Sequence, residues 1–167
     1  MSKFRADCSK CCGLCCVVPG QLAMQGFGSD KSAETPCVHL SQECRCAIYQ
    51  RRDNYGYSAC ATFDCFGAGQ FVTEHLFAGA DWQDSAALAQ AMFAAYRRWL
   101  PRFHAAALIA AALPYVRGDT RNRLTDRMVE LTTNNLVNRI KEADDRKLHR
   151  ETLAMIREAL AAEASNV

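Results

Sequence analysis

Five of the nine residues from Cys8 to Cys16 are cysteine: Cys8, Cys11, Cys12, Cys15 and Cys16. Five more follow at Cys37, Cys44, Cys46, Cys60 and Cys65, and the chain beyond Cys65 has none. This segregation constrains the fold more than any other feature. Cysteines used as small apolar core residues would be scattered along the whole chain. Ten thiols confined to the first 65 residues point instead to one chemical device, and thiolates at this density suit a metal site.

A disulfide framework is the rival device, because small secreted domains carry cysteine at similar density. Three features weigh against it. The opening residues, Met1 to Asp7, contain no apolar run of the length a signal peptide needs. The cysteine-free remainder is long enough to build its own core and needs no staples. The vicinal pairs Cys11-Cys12 and Cys15-Cys16 strain when joined, and five thiols in nine residues have little freedom to reach separate partners. The expected compartment is therefore the reducing cytoplasm, where such a pattern reads as metal-binding or catalytic.

A chain of 167 residues, half of them apolar, can bury a sizeable core. The net charge of only +2 gives no reason to expect nucleic acid or an anionic membrane as partner. The longest apolar stretch, residues 105–115, is too short to span a bilayer. An unidentified protein is the expected partner, and the alanine-rich C-terminal half offers a face to a second copy of the chain.

The chain divides into residues 1–75 and 76–167, expected to form one compact unit. The first part carries every cysteine and seven of the nine glycines. Gly13, Gly20, Gly26, Gly28, Gly56, Gly67 and Gly69 interrupt every periodic pattern, so this part reads as loops and short helical turns with at most one short strand pair. Its apolar residues are too few and too irregular for an independent core. Metal binding can supply the missing folding free energy directly.

From about residue 81 the pattern is helical. Asp84 or Ser85 caps a helix over 86–100, with Leu88, Met92, Ala95 or Tyr96, and Trp99 on one face. Pro101 begins or kinks a second stretch, 102–116, which Gly118 ends. Asp119 or Thr120 caps a third helix to 142, with a stripe of Leu124, Met128, Leu131, Leu136, Val137 and Ile140. Asp144 or Asp145 caps a fourth to 162, with Leu148, Thr152, Met155, Ile156 and Leu160 facing inward. Short connections between amphipathic helices imply an antiparallel bundle. The expected fold is thus mainly α, an irregular cysteine-rich metal-binding half packed on a C-terminal antiparallel helical bundle.

Zinc and iron–sulfur centres both prefer four thiolates each. A Cys-x2-Cys step lets two thiolates grip one ion from a single turn, and Cys8/Cys11 and Cys12/Cys15 both have that spacing. Cys37, Cys44 or Cys46, Cys60 and Cys65 are too dispersed to nucleate a site and would complete one. Ten thiols allow two four-thiolate centres with two spare, or one multinuclear cluster.

The run Cys8-Ser9-Lys10-Cys11-Cys12-Gly13-Leu14-Cys15-Cys16, with Thr35-Pro36-Cys37-Val38-His39-Leu40, Cys46-Ala47-Ile48-Tyr49 and Ser58-Ala59-Cys60, resembles the YkgJ-type family of zinc- or iron-chelating CxxCxxCC domains. The segment Phe63-Asp64-Cys65-Phe66-Gly67-Ala68-Gly69-Gln70-Phe71-Val72, with Phe77-x4-Trp82 after it, is more similar still to the cysteine-rich domain that precedes pentapeptide repeats in some actinobacterial proteins. The resemblance covers residues 5 to about 100, and this chain carries no such repeat. It implies metal ligands at Cys8, Cys11, Cys15, Cys16, Cys37, Cys46, Cys60 and Cys65. Cys12 and Cys44 fall outside the implied set. The glycine-flanked cysteine of the family aligns with Cys12 if Gly13 is matched, or with Cys11 after a one-residue insertion, and both remain open.

Other residues read as structural. His39 lies close enough to Cys37 to replace a thiolate, although a hydrogen-bonded surface role is the expectation; His75, His104 and His149 lie on separate elements. The Gly67-Ala68-Gly69-Gln70 loop lacks the Gly-Lys-Ser/Thr of a phosphate loop and reads as a tight turn beside Cys65. Tyr55, Tyr57, Phe63, Phe66 and Phe71 are expected to wall the site with apolar surface. Arg117, Arg121, Arg123 and Arg127 read as a solvated helix face, and no Ser-His-Asp grouping or paired carboxylate stands out.

The functional expectation is a zinc-binding interaction module with closed sites rather than an enzyme. The alternative is an iron–sulfur protein with a redox or enzyme-accessory role. A copper(I) buffer would line its helices with cysteine, and these carry none. A thiol enzyme would need a base beside its nucleophile.

Overall fold

The computed structural model describes residues 4–133 and 142–165. The protein is mainly α-helical, as the sequence pattern indicates. Among the described residues the expected strand pair is reduced to isolated bridges, Gln21 with Lys31 and Leu40 with Cys46. The chain forms two compact units, Met1–Arg97 and Arg98–Val167.

In the first unit the helices are short: α1 (Leu14–Val17), α2 (Ser58–Thr62) and α3 (Ala68–Gln70), which runs into a π-helical turn at Phe71–Leu76. Single 3-10 turns fill much of the rest, beginning at Cys8–Lys10. Gly13 starts α1 from the left-handed region at φ +72°, and a Cβ there would lie 2.9 Å from Leu40 Cδ1. The start of α4 (Ala86–Ala112) completes this unit. Ser85 caps it, its Oγ accepting from Leu88 N at 3.2 Å. The expected face is formed by Met92 and Tyr96, both buried together with Leu14, Val17, Val72 and Phe93. An ion pair between Arg97 and Glu34 ties α4 to the loop before Cys37.

Of the two alternatives, Pro101 does not begin a new helix. It lies inside α4, which continues for 27 residues. Proline costs the bond its missing N–H would make to the Arg97 carbonyl, and burial of Trp99, Phe103, Ala105, Ala106 and Ile109 on the far side outweighs that loss. A 3-10 turn at Leu113–Tyr115 follows. Gly118 does not terminate this stretch; it begins α5 (Gly118–Thr132) from φ +53°, so neither Asp119 nor Thr120 is the cap.

In the second unit α5 ends at Thr132, short of the expected 142, and Leu136, Val137 and Ile140 lie outside the described residues. The next helix, α6 (Glu142–Ala164), already contains Asp144 and Asp145, which are therefore not its caps. The helices run antiparallel. Arg117 N at the start of α5 donates to Glu163 Oε1 at 3.0 Å, while Arg127, further along, reaches Thr152 Oγ1 at 3.2 Å and Glu151 Oε2 at 3.7 Å. Leu124, Leu131, Thr152 and Ile156 are buried; Leu160 is exposed and Ala159 takes the inward place. Leu131→Ala removes a fully buried side chain and should cost about 2–5 kcal/mol, read as a lower denaturation midpoint with α-helical content kept in the native baseline.

Candidate functional site

The ten cysteines are all free thiols, and their neighbourhoods sort them into three sets. Cys11 and Cys65 anchor the first, and Cys8 and Cys15 adjoin both it and Cys16. Cys8 opens a 3-10 turn that Asp7 caps by accepting from Ser9 N at 3.0 Å. A Cβ built on Gly69, in α3, would lie 2.7 Å from Cys11 Sγ and at the contact distance of 3.8 Å from Cys65 Sγ, so the bare glycine leaves room for the Cys11 sulfur. Cys8, Cys11 and Cys15 each feel the charge of Cys65. The Leu14 and Gly13 backbone N–H groups donate to Cys11, yet burial dominates and pushes its thiol up to about 12.

The second set is Cys16, Cys37, Cys46 and Cys60. Cys37 is buried with Ile48 and Tyr57, and Cys16, Cys46 and Cys60 pack against that cluster with Phe27 and Leu40. Cys37 N donates to Cys16 O at 2.9 Å, and the Leu40–Cys46 bridge closes the loop that carries Cys46. Burial pushes the Cys60 thiol up to about 11, with Cys16, Cys37 and Cys46 adding to the shift. The two sets meet at adjacent residues: Cys15 Sγ lies 3.9 Å from Cys16 Sγ, and the shared proton holds Cys15 up and Cys16 down.

Cys12 and Cys44 make a third neighbourhood. Cys12 Sγ lies 3.3 Å from Thr73 Oγ1, and its carbonyl accepts from Trp82 Nε1 at 2.9 Å. Cys44, at φ +57°, donates to Asp81 Oδ2 at 3.4 Å and accepts from Gln83 Nε2 at 3.3 Å. Burial and the adjacent carboxylate hold its thiol at about 12.

Three cations order these loops, and the sequence reading assigned no role to any of them. Lys31 Nζ donates to the carbonyls of Val17 at 3.0 Å, Pro19 at 2.6 Å, Ser32 at 3.1 Å and Thr35 at 2.7 Å. Arg45 donates to Cys8 O, to Ser9 O at 2.9 Å and to Cys11 O at 2.9 Å. Arg52 donates to Cys60 O at 2.8 Å. The available signal was position alone, since Arg45 stands between two cysteines. Tyr96 was read only as a core residue; it is 1% exposed, its hydroxyl has no hydrogen-bond partner, and burial, with cysteines of this unit adding, pushes its phenol well above the usual range.

His39 packs edge-on against Tyr57 and Tyr55, with ring centroids 5.1 and 5.7 Å apart. Of the expected aromatic wall only Tyr57 is buried, whereas Tyr55 and Phe63 are exposed. The apolar residues that do pack in this unit are aliphatic as well as aromatic, Leu14, Val17 and Val72 among them.

Among the described residues no three His, Cys, Asp or Glu side chains converge closely enough to hold a metal ion. By type alone the donors are those a thiophilic ion takes. The thiols are free and grouped, backbone N–H groups donate to Cys11 and, from Ile48, to Cys46, and position 69 carries no side chain to fill the space beside Cys11 and Cys65.

The chain is 39% identical over 88 residues to Uncharacterized protein YybG of Bacillus subtilis (strain 168). The match takes in 53% of this chain and 32% of that protein, so the chain spans about one third of its curated relative. No family model matches, and no solved structure matches. Among the described residues no helix is long and apolar enough to cross a membrane.

Gly69→Ala places a methyl group against Cys11 Sγ and should destabilise the protein by about 1–3 kcal/mol, with Cys11 becoming more reactive to an alkylating reagent, read by thermal unfolding and mass-mapped labelling. Arg45→Met releases three carbonyls and should expose Cys8 and Cys11 to the same reagent; Arg45→Lys should recover only part of the protection, because a point charge cannot reproduce the guanidinium fork.

Proposed function

We propose that this chain is a metal-thiolate protein whose N-terminal half is organised by two four-cysteine centres. Cys8, Cys11, Cys15 and Cys65 supply one, and Cys16, Cys37, Cys46 and Cys60 the other. The observation that carries this reading is that Cys11 and Cys65 border Gly69 and Cys16, Cys37, Cys46 and Cys60 pack at one cluster, while Cys12 and Cys44 bond to Thr73, Asp81 and Gln83. The same eight are the ligands implied by the resemblance to YkgJ-type domains.

Zinc is the proposed ion. Four thiolates close its coordination shell, leaving no position for substrate or water, so such centres stabilise structure and do not catalyse. The role of the protein then lies in the surface that the ordered loops present to a protein partner. Thiolate centres of this kind belong in a reducing cytoplasm.

One observation favours an iron–sulfur centre as the second reading. Backbone N–H groups directed at Cys11 and Cys46 are the donors that tune such clusters.

Metal analysis with an absorption spectrum, on protein made without oxygen and without a chelating tag, separates the two. Colourless protein with two zinc per chain is expected; iron with acid-labile sulfide would replace zinc with the second reading, and protein without thiolate-bound metal would overturn both. Cys12→Ser and Cys44→Ser should each keep the full metal content, whereas Cys15→Ser and Cys60→Ser should each lose about one equivalent, four thiolates being the set one ion takes. Chelation should make residues 1–75 protease-sensitive while the far-ultraviolet circular dichroism of α4, α5 and α6 persists.

A further inference from the structure

The sequence holds two adjacent cysteine pairs, Cys11-Cys12 and Cys15-Cys16, and the fold treats them differently. Cys11 Sγ faces Gly69, whereas Cys12 Sγ lies 3.3 Å from Thr73 Oγ1, so the first pair is parted between two neighbourhoods. The second pair converges, with Cys15 Sγ and Cys16 Sγ 3.9 Å apart. The turn that carries it is firmly held. Leu14 and Val17 are fully buried, Cys16 N donates to Gly13 O at 2.8 Å, and Val18 N donates to Leu14 O at 2.9 Å. Both thiols are free and half-buried, which leaves them open in part to a small ligand.

This spacing opposes one chemistry and suits another. Adjacent Cα atoms stand about 3.8 Å apart across a trans peptide, closer than the roughly 4.4 Å at which ordinary disulfides begin. A direct S–S bond between Cys15 and Cys16 is therefore strained. A single bridging atom relieves that strain. Two bonds of about 2.3 Å, the length thiolate sulfur makes to zinc, span up to about 4.6 Å. Trivalent arsenic is soft, binds three ligands and exchanges oxygen for sulfur. In a monosubstituted organoarsenical, carbon already fills one of the three positions. Two sulfurs complete the shell, and two are what this pair supplies.

We propose that Cys15 and Cys16 together form a two-sulfur capture site for a monosubstituted trivalent organoarsenical. The inference goes beyond the metal-thiolate reading and does not rest on it. In the binding step R–As(OH)2 meets two thiols. Two As–O bonds break, two As–S bonds form, and each thiol proton leaves with a hydroxyl as water. Arsenic stays trivalent, so no oxidant or reductant is needed. Because α1 already holds the sulfurs near each other, little side-chain freedom is lost on binding.

The test adds one equivalent of phenylarsine oxide, which hydrates to such a species, to the reduced full chain. The remaining thiols are then alkylated and the arsenic is located by mass spectrometry. In the folded chain the first equivalent should bridge Cys15 and Cys16. In the urea-unfolded chain it should divide between the two adjacent pairs, because only the fold distinguishes them. Cys15→Ser and Cys16→Ser should each lose this uptake, and Cys12→Ser should keep it. The wild-type mapping decides the matter without the variants if one of them does not fold. Inorganic arsenite, with no carbon in its third position, should be held more weakly than phenylarsine oxide.

No uptake by the folded chain would overturn the proposal, as would a first equivalent found at Cys11-Cys12 or spread over several pairs. The same distribution in folded and unfolded chains would overturn it too, since the selectivity would then belong to the sequence and not to the fold. Arsenite held as tightly as phenylarsine oxide would bring in a third sulfur and sink the two-sulfur site.

Discussion

Backbone carbonyls with no ladder N–H groups to donate to them are the constraint on which the first unit depends. Between α1 and α2 the chain has only single turns and isolated bridges, so few of its carbonyls are satisfied by regular structure. Lys31, Arg45 and Arg52 answer that need, and the carbonyls they collect lie on or beside the cysteine-bearing segments. The cations fix the loops, and the loops fix which thiols become neighbours. Arg45 is the clearest case. It sits between Cys44 and Cys46 in sequence, and its guanidinium gathers the Cys8–Lys10 turn, so residues remote along the chain share one anchor.

The junction of the two cysteine sets follows from helical geometry. Cys15 and Cys16 are adjacent in α1, so their side chains project in different directions around the helix while their sulfurs remain 3.9 Å apart. A single buried turn can thus serve two groups. Leu14 and Val17, both fully buried, hold that turn in place. Gly69 performs the complementary service from α3 by contributing no side chain at all.

The helical half was legible because its signals are local. Ser85 caps α4 and Met92, Tyr96 and Trp99 are buried, as three- and four-residue spacing requires. Pro101 misled because its cost is local and its compensation is not: packing on both sides of the proline holds α4 together. Gly118 misled because a left-handed residue can precede a helix as readily as it can end one. In the cysteine-rich half the identity of the thiols was plain from spacing, but their grouping depends on contacts between distant residues, such as Cys11 with Gly69 and Cys12 with Thr73.

The charge balance of the proposed centres closes the physical case for cations in this region. Eight thiolates crowded into one small unit would repel one another strongly, which is why burial and neighbouring sulfurs hold most of these thiols protonated in the absence of a counter-charge. Two divalent ions would halve that negative charge. Arg52 already lowers the cost of ionising Cys8, Cys16, Cys46 and Cys60, and Lys31 does so for Cys16. The same side chains therefore serve twice: they satisfy carbonyls in the loops, and they set a positive field where thiolates would form. Cys44 has the opposite environment. Its neighbour is the Asp81 carboxylate, which opposes ionisation and keeps Cys44 a thiol.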